Sequence, residues 1–188
     1  MSQSATSAEA PRPGLEDVTI TSDVFFRRAR ELFTLDVPPV LTDPRIIPAS
    51  DDEGMRSVLE IIAREKPIRP AAVLVPVVER EQPTVLLTQR AAHLNDHAGQ
   101  VAFPGGKIDT TDASPMFAAL REAEEEIGLD AEFVEPIGYM DLYGTPLGYR
   151  IVPTVPRVSL GFELRINKSE VDDVFEVPLA FLMNPANH

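Results

Sequence analysis

From Pro70 onward, apolar residues fall in short runs separated by turn formers, and one stretch, 114–128, instead repeats them at helical spacing. Met116, Leu120, Ala123 and Ile127 would form the buried stripe of that helix. Ser114-Pro115 is a start signal, because the serine caps free N–H groups and proline at the first helical position loses nothing. Gly128 is a stop, since glycine enters the left-handed conformation without steric cost.

Around this helix the pattern predicts strands. "AAVLVPVV" (Ala71 to Val78) is apolar on both faces, and "TVLLTQR" (Thr84 to Arg90) follows the polar turn "EREQP", so the two read as a hairpin covered on both sides. Pro76 calls for an edge position or a bulge in the first of them. Gln100 to Phe103, Phe133 to Tyr143, Tyr149 to Leu160 and Asp173 to Val177 are further strand candidates. Strands on either side of one strong helix indicate an α/β or α+β class, a mixed sheet with helices packed on its faces. Upstream, Asp23 to Leu35 and Asp52 to Glu65 carry helix-compatible spacing within an N-terminal extension, residues 18–69. Residues 1–17, rich in Ser, Ala and Pro, are expected to be a disordered tail, and 70–188 to be the main domain.

The end of the helix, "LREAEEEIGL" (Leu120 to Leu129), crowds four glutamates. At about 100° per residue, Glu122, Glu125 and Glu126 share one face while Glu124 points away. Like-charge pairs at this spacing cost about 0.2–0.5 kcal/mol each, and carboxylates near the negative end of the helix dipole cost about 0.3–1 kcal/mol more. A solvated acidic face is one reading. The other is a ligand set for a hard divalent cation, which prefers oxygen donors and would offset the crowding. Just upstream, Gly105-Gly106 in "VAFPGGKIDTTDAS" lets the backbone turn tightly beside a ligand. A tight loop followed by a helix that projects carboxylates back toward it favours the second reading.

The chain has 188 residues, enough for one domain plus an extension, and no apolar run approaches the roughly 18–20 residues that span a bilayer. The start lacks the basic and apolar parts of a secretory signal, so a cytoplasmic location is expected, without a membrane partner. A net charge of −13 opposes binding to polyanions, which argues against nucleic acid and leaves a small molecule as the expected partner. With no cysteine, thiolate chemistry and disulfides are excluded.

Gly106, five residues, Asp112, eight residues, then Arg121-Glu122-Ala123-Glu124-Glu125-Glu126-Ile127-Gly128-Leu129 resembles the Nudix box, Gx5Ex7REUxEExGU with U aliphatic. Asp112 stands for the usual glutamate, and one extra residue precedes the arginine. "LLTQRAAHLNDHAGQVAFPGG" (Leu86 to Gly106) further resembles the signature of the coenzyme A pyrophosphatase branch, with Asn95 where that branch usually has arginine. The resemblance implies a Nudix-type α/β/α sandwich and a metal-dependent hydrolase of coenzyme A or its thioesters. Another nucleoside diphosphate derivative, such as ADP-ribose or a dinucleotide polyphosphate, is the alternative substrate, and a silent binding module the alternative function.

By that resemblance Glu122 and Glu126 are the principal Mg²⁺ or Mn²⁺ ligands, with Glu125 a further ligand or water contact and the backbone of Gly105 or Gly106 assisting. Arg121 would orient a glutamate. The general base is either Glu122 or the downstream Glu170. Arg90 and Lys107 are either anion contacts or surface charge, and His97 contacts phosphate or holds its loop. His93 and His188 have no assigned role, and Asp112 is expected to hydrogen-bond the loop or the helix start. The branch also implies a further strand and C-terminal helix, so residues 70–188 are expected to be C-terminally incomplete. If the chain instead ends there, the N-terminal helices or a partner subunit, as in a homodimer, would cover the second face of the sheet.

Overall fold

The computed structural model describes residues 20–37, 69–145 and 148–187. A helix, α1 (Ser22–Leu32), precedes strands β1 (Arg69–Leu74), β2 (Val77–Val78), β3 (Thr84–Arg90), β4 (Val101–Ala102) and β5 (Gly105–Lys107). Then come α2 (Pro115–Ile127), a 3₁₀ turn (Ala131–Phe133), β6 (Val134–Tyr139), β7 (Tyr143–Gly144), β8 (Tyr149–Val158), β9 (Val171–Pro178) and the short α3 (Leu179–Leu182). The expected tail 1–17 and the expected helix from Asp52 to Glu65 lie outside the described residues.

Strand β8 is the spine of a mixed sheet. It runs parallel to β1 (Ala72 opposite Val152) and to β2 (Val77 opposite Arg157), and antiparallel to β6 and β7 on its other side. The run from Ala71 to Val78 is therefore two strands, and the expected hairpin is formed by its second part alone: β2 pairs β3, whereas β1 pairs β5. Pro76 explains the division. It has no N–H to give a ladder, and its carbonyl accepts from Leu86 N–H at 3.1 Å where β3 peels away. Pro76 thus marks a break inside the sheet, not an edge.

That break forks the sheet. One arm carries β2, β3, β4 and β9, the other β1 and β5. Phe103-Pro104 crosses from the first arm to the second, and Leu74 N–H fixes the crossing by donating to the Pro104 carbonyl at 2.8 Å. The Gly105–Lys107 segment, read as a loop in the sequence, is consequently a short strand.

Helix α2 forms as its sequence predicts. Ser114 caps it by accepting from Phe117 N–H at 3.3 Å, and Gly128 ends it at φ 66°. Ala118, Ala119 and Ala123 are buried with Met116 and Ile127 against Ala72, Leu74, Leu86, Val152 and Val158. Three alanines on the inner face let the helix approach the sheet closely. Along β3 the side chains alternate: Leu86 joins the α2 side, while Val85 and Leu87 join the other.

On that other face sits α1. Phe26 and Ala29 pack on Val77, Val85, Leu87, Ile137 and Val155, with Leu179 of α3 beside them. An N-terminal helix therefore covers the second face, as one of the two expected covers. The helix ends at Leu32, short of the expected Leu35, because Thr34 bridges to Tyr139 as an isolated rung, its carbonyl accepting from Tyr139 N–H at 3.0 Å.

Because Ile127 is 0% exposed and Phe117, on the outer side of the same helix, is 62% exposed, their truncations should diverge. Ile127→Ala should lower stability by about 2–5 kcal/mol and Phe117→Ala by no more than about 0.5 kcal/mol, read from urea unfolding midpoints at constant slope.

Candidate functional site

The β5 segment lies under the last turns of α2, and two adjacent glycines make the contact. Gly105 N–H donates to the Glu126 carboxylate at 3.1 Å. A Cβ on Gly106 would stand 2.5 Å from the carboxyl carbon of Glu122, so only glycine leaves that carboxylate where it is. The two acids, one helical turn apart, thus both face the loop that the spacing placed beside them.

Glu126 is 4% exposed. Burial raises its pKa to about 7, the Gly105 N–H partly offsetting this and the negative charges of Glu122 and Glu170 adding to it, while Arg90 favours the ionised form. Burial likewise pushes Glu122 above the usual carboxylate range, against the pull of Arg121, with Glu125 and Glu170 adding repulsion.

Arg121 organises the rest. It donates to Asp112 at 3.1 and 3.2 Å, to Glu122 at 2.9 Å and to the Lys107 carbonyl at 3.2 Å, and reaches Glu125 at 3.4 Å. Asp112 also accepts from Asp109 N–H at 2.8 Å, and the Arg121 hydrogen bonds hold its carboxyl below the ordinary range. Arg121 therefore orients Glu122, and aspartate supplies the loop contacts at the position where glutamate is usual.

Glu125 is the outermost of the three carboxylates expected on this face. Its side chain is 57% exposed, against 17% for Glu122, and is drawn along the helix surface toward Arg121. It shares the Arg121 Nη1 with Glu122, so it stays on the same side of the helix, at the solvent edge of the acidic face. Glu124 is exposed, as its angular position requires.

The other predicted residues divide. The half-buried Arg90 has a buried Nε with no hydrogen-bond partner among the described residues, and its charge is felt at Glu126. Lys107 is exposed, and its carbonyl is the part of it that joins the site. His97 is exposed with φ 57°, and its Nδ1 lies 2.9 Å from the Gln100 side-chain oxygen, a contact that holds its own loop. Glu170 was a candidate from the sequence, but not the way its segment closes the end of α2: Arg165 N–H donates to the Ile127 carbonyl at 2.8 Å and Asn167 N–H to the Glu126 carbonyl at 2.9 Å. "NKSE" reads as a turn from its composition, but its helical partner is distant in sequence.

Among the described residues, no three acidic or histidine side chains gather closely enough to hold a metal ion alone. The donor set nevertheless fits a hard cation of the magnesium type. Such an ion keeps several waters and takes one or two carboxylates plus phosphate oxygens from a substrate, not a complete protein cage. Glu122 and Glu126 are oxygen donors of that number, and the cradle at Gly106 leaves the Glu122 carboxylate open at the loop.

The sequence pattern of the NUDIX domain matches residues 68–187. The chain is 52% identical over 112 residues to a protein of Escherichia coli (strain K12 / DH10B) named as the uncharacterized Nudix hydrolase NudL, covering 60% of this chain and 58% of that relative. The same identity and coverage hold for a NudL protein of Salmonella paratyphi B. The match thus spans less than two thirds of the relatives' length. Among solved structures, a Nudix hydrolase from M. smegmatis, RenU, superposes with a TM-score of 0.51 at 21% identity, covering 61% of this chain and 73% of that one. An Ap4A hydrolase from C. elegans gives 0.51 at 18% identity, covering 63% and 86%. At these identities the likeness establishes the fold.

Two outcomes follow for the metal-free protein. A folded-state pKa near 7, above the ordinary 4.5, means that the native state holds a proton on Glu126 that the unfolded chain has released. This contribution is present in full below pH 4.5 and is lost as pH rises through about 7. Glu126→Gln, whose amide oxygen can still accept from Gly105, should remove that slope and raise stability at pH 8 in EDTA by on the order of 1–3 kcal/mol relative to the unsubstituted chain, checked by urea unfolding at pH 5 and pH 8. Gly106→Ala should cost less than about 1 kcal/mol, since the atom in its way ends a flexible side chain, yet weaken Mn²⁺ binding about tenfold in a titration by displacing Glu122.

Proposed function

The chain belongs to the NUDIX family, and on that premise we propose that it is a metal-dependent pyrophosphatase acting on coenzyme A or its thioesters. Hydrolysis of the diphosphate linkage gives 3′,5′-ADP and 4′-phosphopantetheine or its acyl form. The observation that carries the reading is the lock between β5 and α2, which buries Glu126 on the Gly105 N–H beside Glu122, at the end of the segment Leu86 to Gly106 that resembles the coenzyme A branch.

Glu122 and Glu126 would hold Mg²⁺ or Mn²⁺, with Glu125 reaching a bound water from its exposed position. When bound, such an ion supplies charge neutralisation on the diphosphate and lowers the pKa of the attacking water. Arg121 favours the ionised form of Glu122 and orients it through a direct hydrogen bond. Arg90, whose positive charge is felt at Glu126, would be the inner phosphate contact of the reading. Lys107 and His97, both exposed, are the outer contacts of the reading. Water attacks one phosphorus, its oxygen forming the new P–O bond as the bridging P–O bond breaks. The proton goes to a carboxylate, for which Glu122 and Glu170 are the two candidates.

Incubation with Mg²⁺ or Mn²⁺ and a panel of coenzyme A, acetyl-coenzyme A, ADP-ribose and Ap4A, with products identified by mass, tests the substrate. Coenzyme A should yield 3′,5′-ADP. Cleavage of ADP-ribose without cleavage of coenzyme A would replace this substrate by another nucleoside diphosphate derivative. On the preferred substrate, Glu126→Gln should lower kcat by about 100-fold or more, whereas Glu124→Ala should stay within about twofold.

A further inference from the structure

The segment 165–172, which follows β8 and runs into the start of β9, touches the site through both its main chain and its side chains. Its Arg165 and Asn167 N–H groups occupy carbonyls at the end of α2, which an isolated helix would leave without partners. Farther along, the Glu170 carbonyl accepts from Ala91 N–H at 2.9 Å, and the Asp172 carboxylate accepts from Ala92 N–H at 2.8 Å. The segment therefore joins the end of the acidic helix to the loop that follows β3.

Asn167 lies at the centre of this join. Its main-chain N–H is bonded to the Glu126 carbonyl, while its side-chain Nδ2 donates to the Glu170 carboxylate at 3.0 Å. Its Oδ1 accepts from the Ser169 N–H at 3.2 Å and the Ser169 hydroxyl at 2.6 Å. Those two donors fix which end of the amide is oxygen, so the NH₂ group faces the carboxylate. One residue thus holds the backbone of one acid and the side chain of another.

The chemistry of the donor matters. Through Asn167 the Glu170 carboxylate is tied to the end of the helix that carries Glu122 and Glu126, which keeps a further negative charge beside them. An unrestrained carboxylate in that position would relax outward into water. A lysine or arginine could retain it only by cancelling its charge, as Arg121 does in part at Glu122. A neutral amide retains it with the charge intact.

We propose that Asn167 is a positioning residue, holding the Glu170 carboxylate against the Glu122–Glu126 pair so that its full negative charge reaches a cation bound there. This rests on the metal-site reading given above. It adds a further acid to the field of the site without requiring that acid to be a ligand.

The test is a double-mutant cycle read in Mn²⁺ affinity by titration calorimetry, with the full chain and no substrate. Asn167→Ala leaves the backbone bond to Glu126 in place, and Glu170→Gln removes the charge while keeping the side-chain size. Each single substitution should weaken Mn²⁺ binding by about tenfold, and the double substitution no more than Glu170→Gln alone. Thermal unfolding of each variant verifies that it is folded. If Asn167→Ala fails to fold, Asn167→Ser, with a shorter donor, takes its place in the same cycle. Losses that multiply in the double variant, or an Asn167 variant within about twofold of the unsubstituted chain, would overturn the proposal. A cycle of the expected form in a protein that cleaves no diphosphate supports the positioning role and removes only the activity. Failure of the unsubstituted chain to bind Mn²⁺ overturns both.

Discussion

The close approach of β5 to the last turns of α2 is the constraint on which the site depends. It requires two glycines in succession: one presents a bare N–H to Glu126, the other leaves the space that the Glu122 carboxylate fills. It requires small side chains on the inner face of α2, where three buried alanines meet the sheet. It also requires the fork at Pro76, because only a divided sheet lets Phe103-Pro104 cross between arms and deliver Gly105 beneath the helix. Fold and site are in this sense one arrangement, set by the same few positions.

Charge is distributed unevenly over that arrangement. Arg121 binds Asp112, Glu122 and the Lys107 carbonyl, so the outer part of the acidic face is compensated and tied to the loop. Glu126, deeper, receives one neutral N–H and the distant pull of Arg90. The least compensated carboxylate is therefore also the most buried one, and this raises its pKa furthest. An ionic partner would find its largest gain at Glu126.

Much of this was legible in the sequence because it is local. Ser114, Pro115 and Gly128 state the limits of α2, and its apolar spacing states which face is buried. The strand from Thr84 to Arg90 and its alternation are likewise carried by adjacent residues. What was not legible depends on residues far apart. Helical angles place Glu125 beside Glu122 and Glu126, but they do not show that it shares Arg121 with Glu122, which depends on how Asp112 and Lys107 already engage that arginine. Pro76 announces a disturbance without saying that β1 would pair with β8 and β5 instead of β3. Asn167 carries no signal beyond turn composition, because its partners Glu126 and Glu170 meet only in the folded chain.

The energetic size of the acidic pair bears on why such a site is tolerated in a folded domain. A carboxylate whose pKa rises from 4.5 to about 7 opposes folding at neutral pH by on the order of 1–3 kcal/mol when no cation is present. A ligand that binds only the native state, at about 100 times its dissociation constant, stabilises by about 2.7 kcal/mol. The two magnitudes are comparable. Cation binding can thus return what the buried charge removes, and the domain needs no exceptional core to carry the site. With its two apolar clusters, one under α2 and one under α1, offsetting the chain entropy, the domain can keep the ordinary net margin of about 5–15 kcal/mol. A neutral acceptor at 126 would relieve the charge penalty and still satisfy the Gly105 N–H, whereas an apolar residue would leave that donor unpaired, so the cost at the helix end belongs to the charge and not to the close approach of β5.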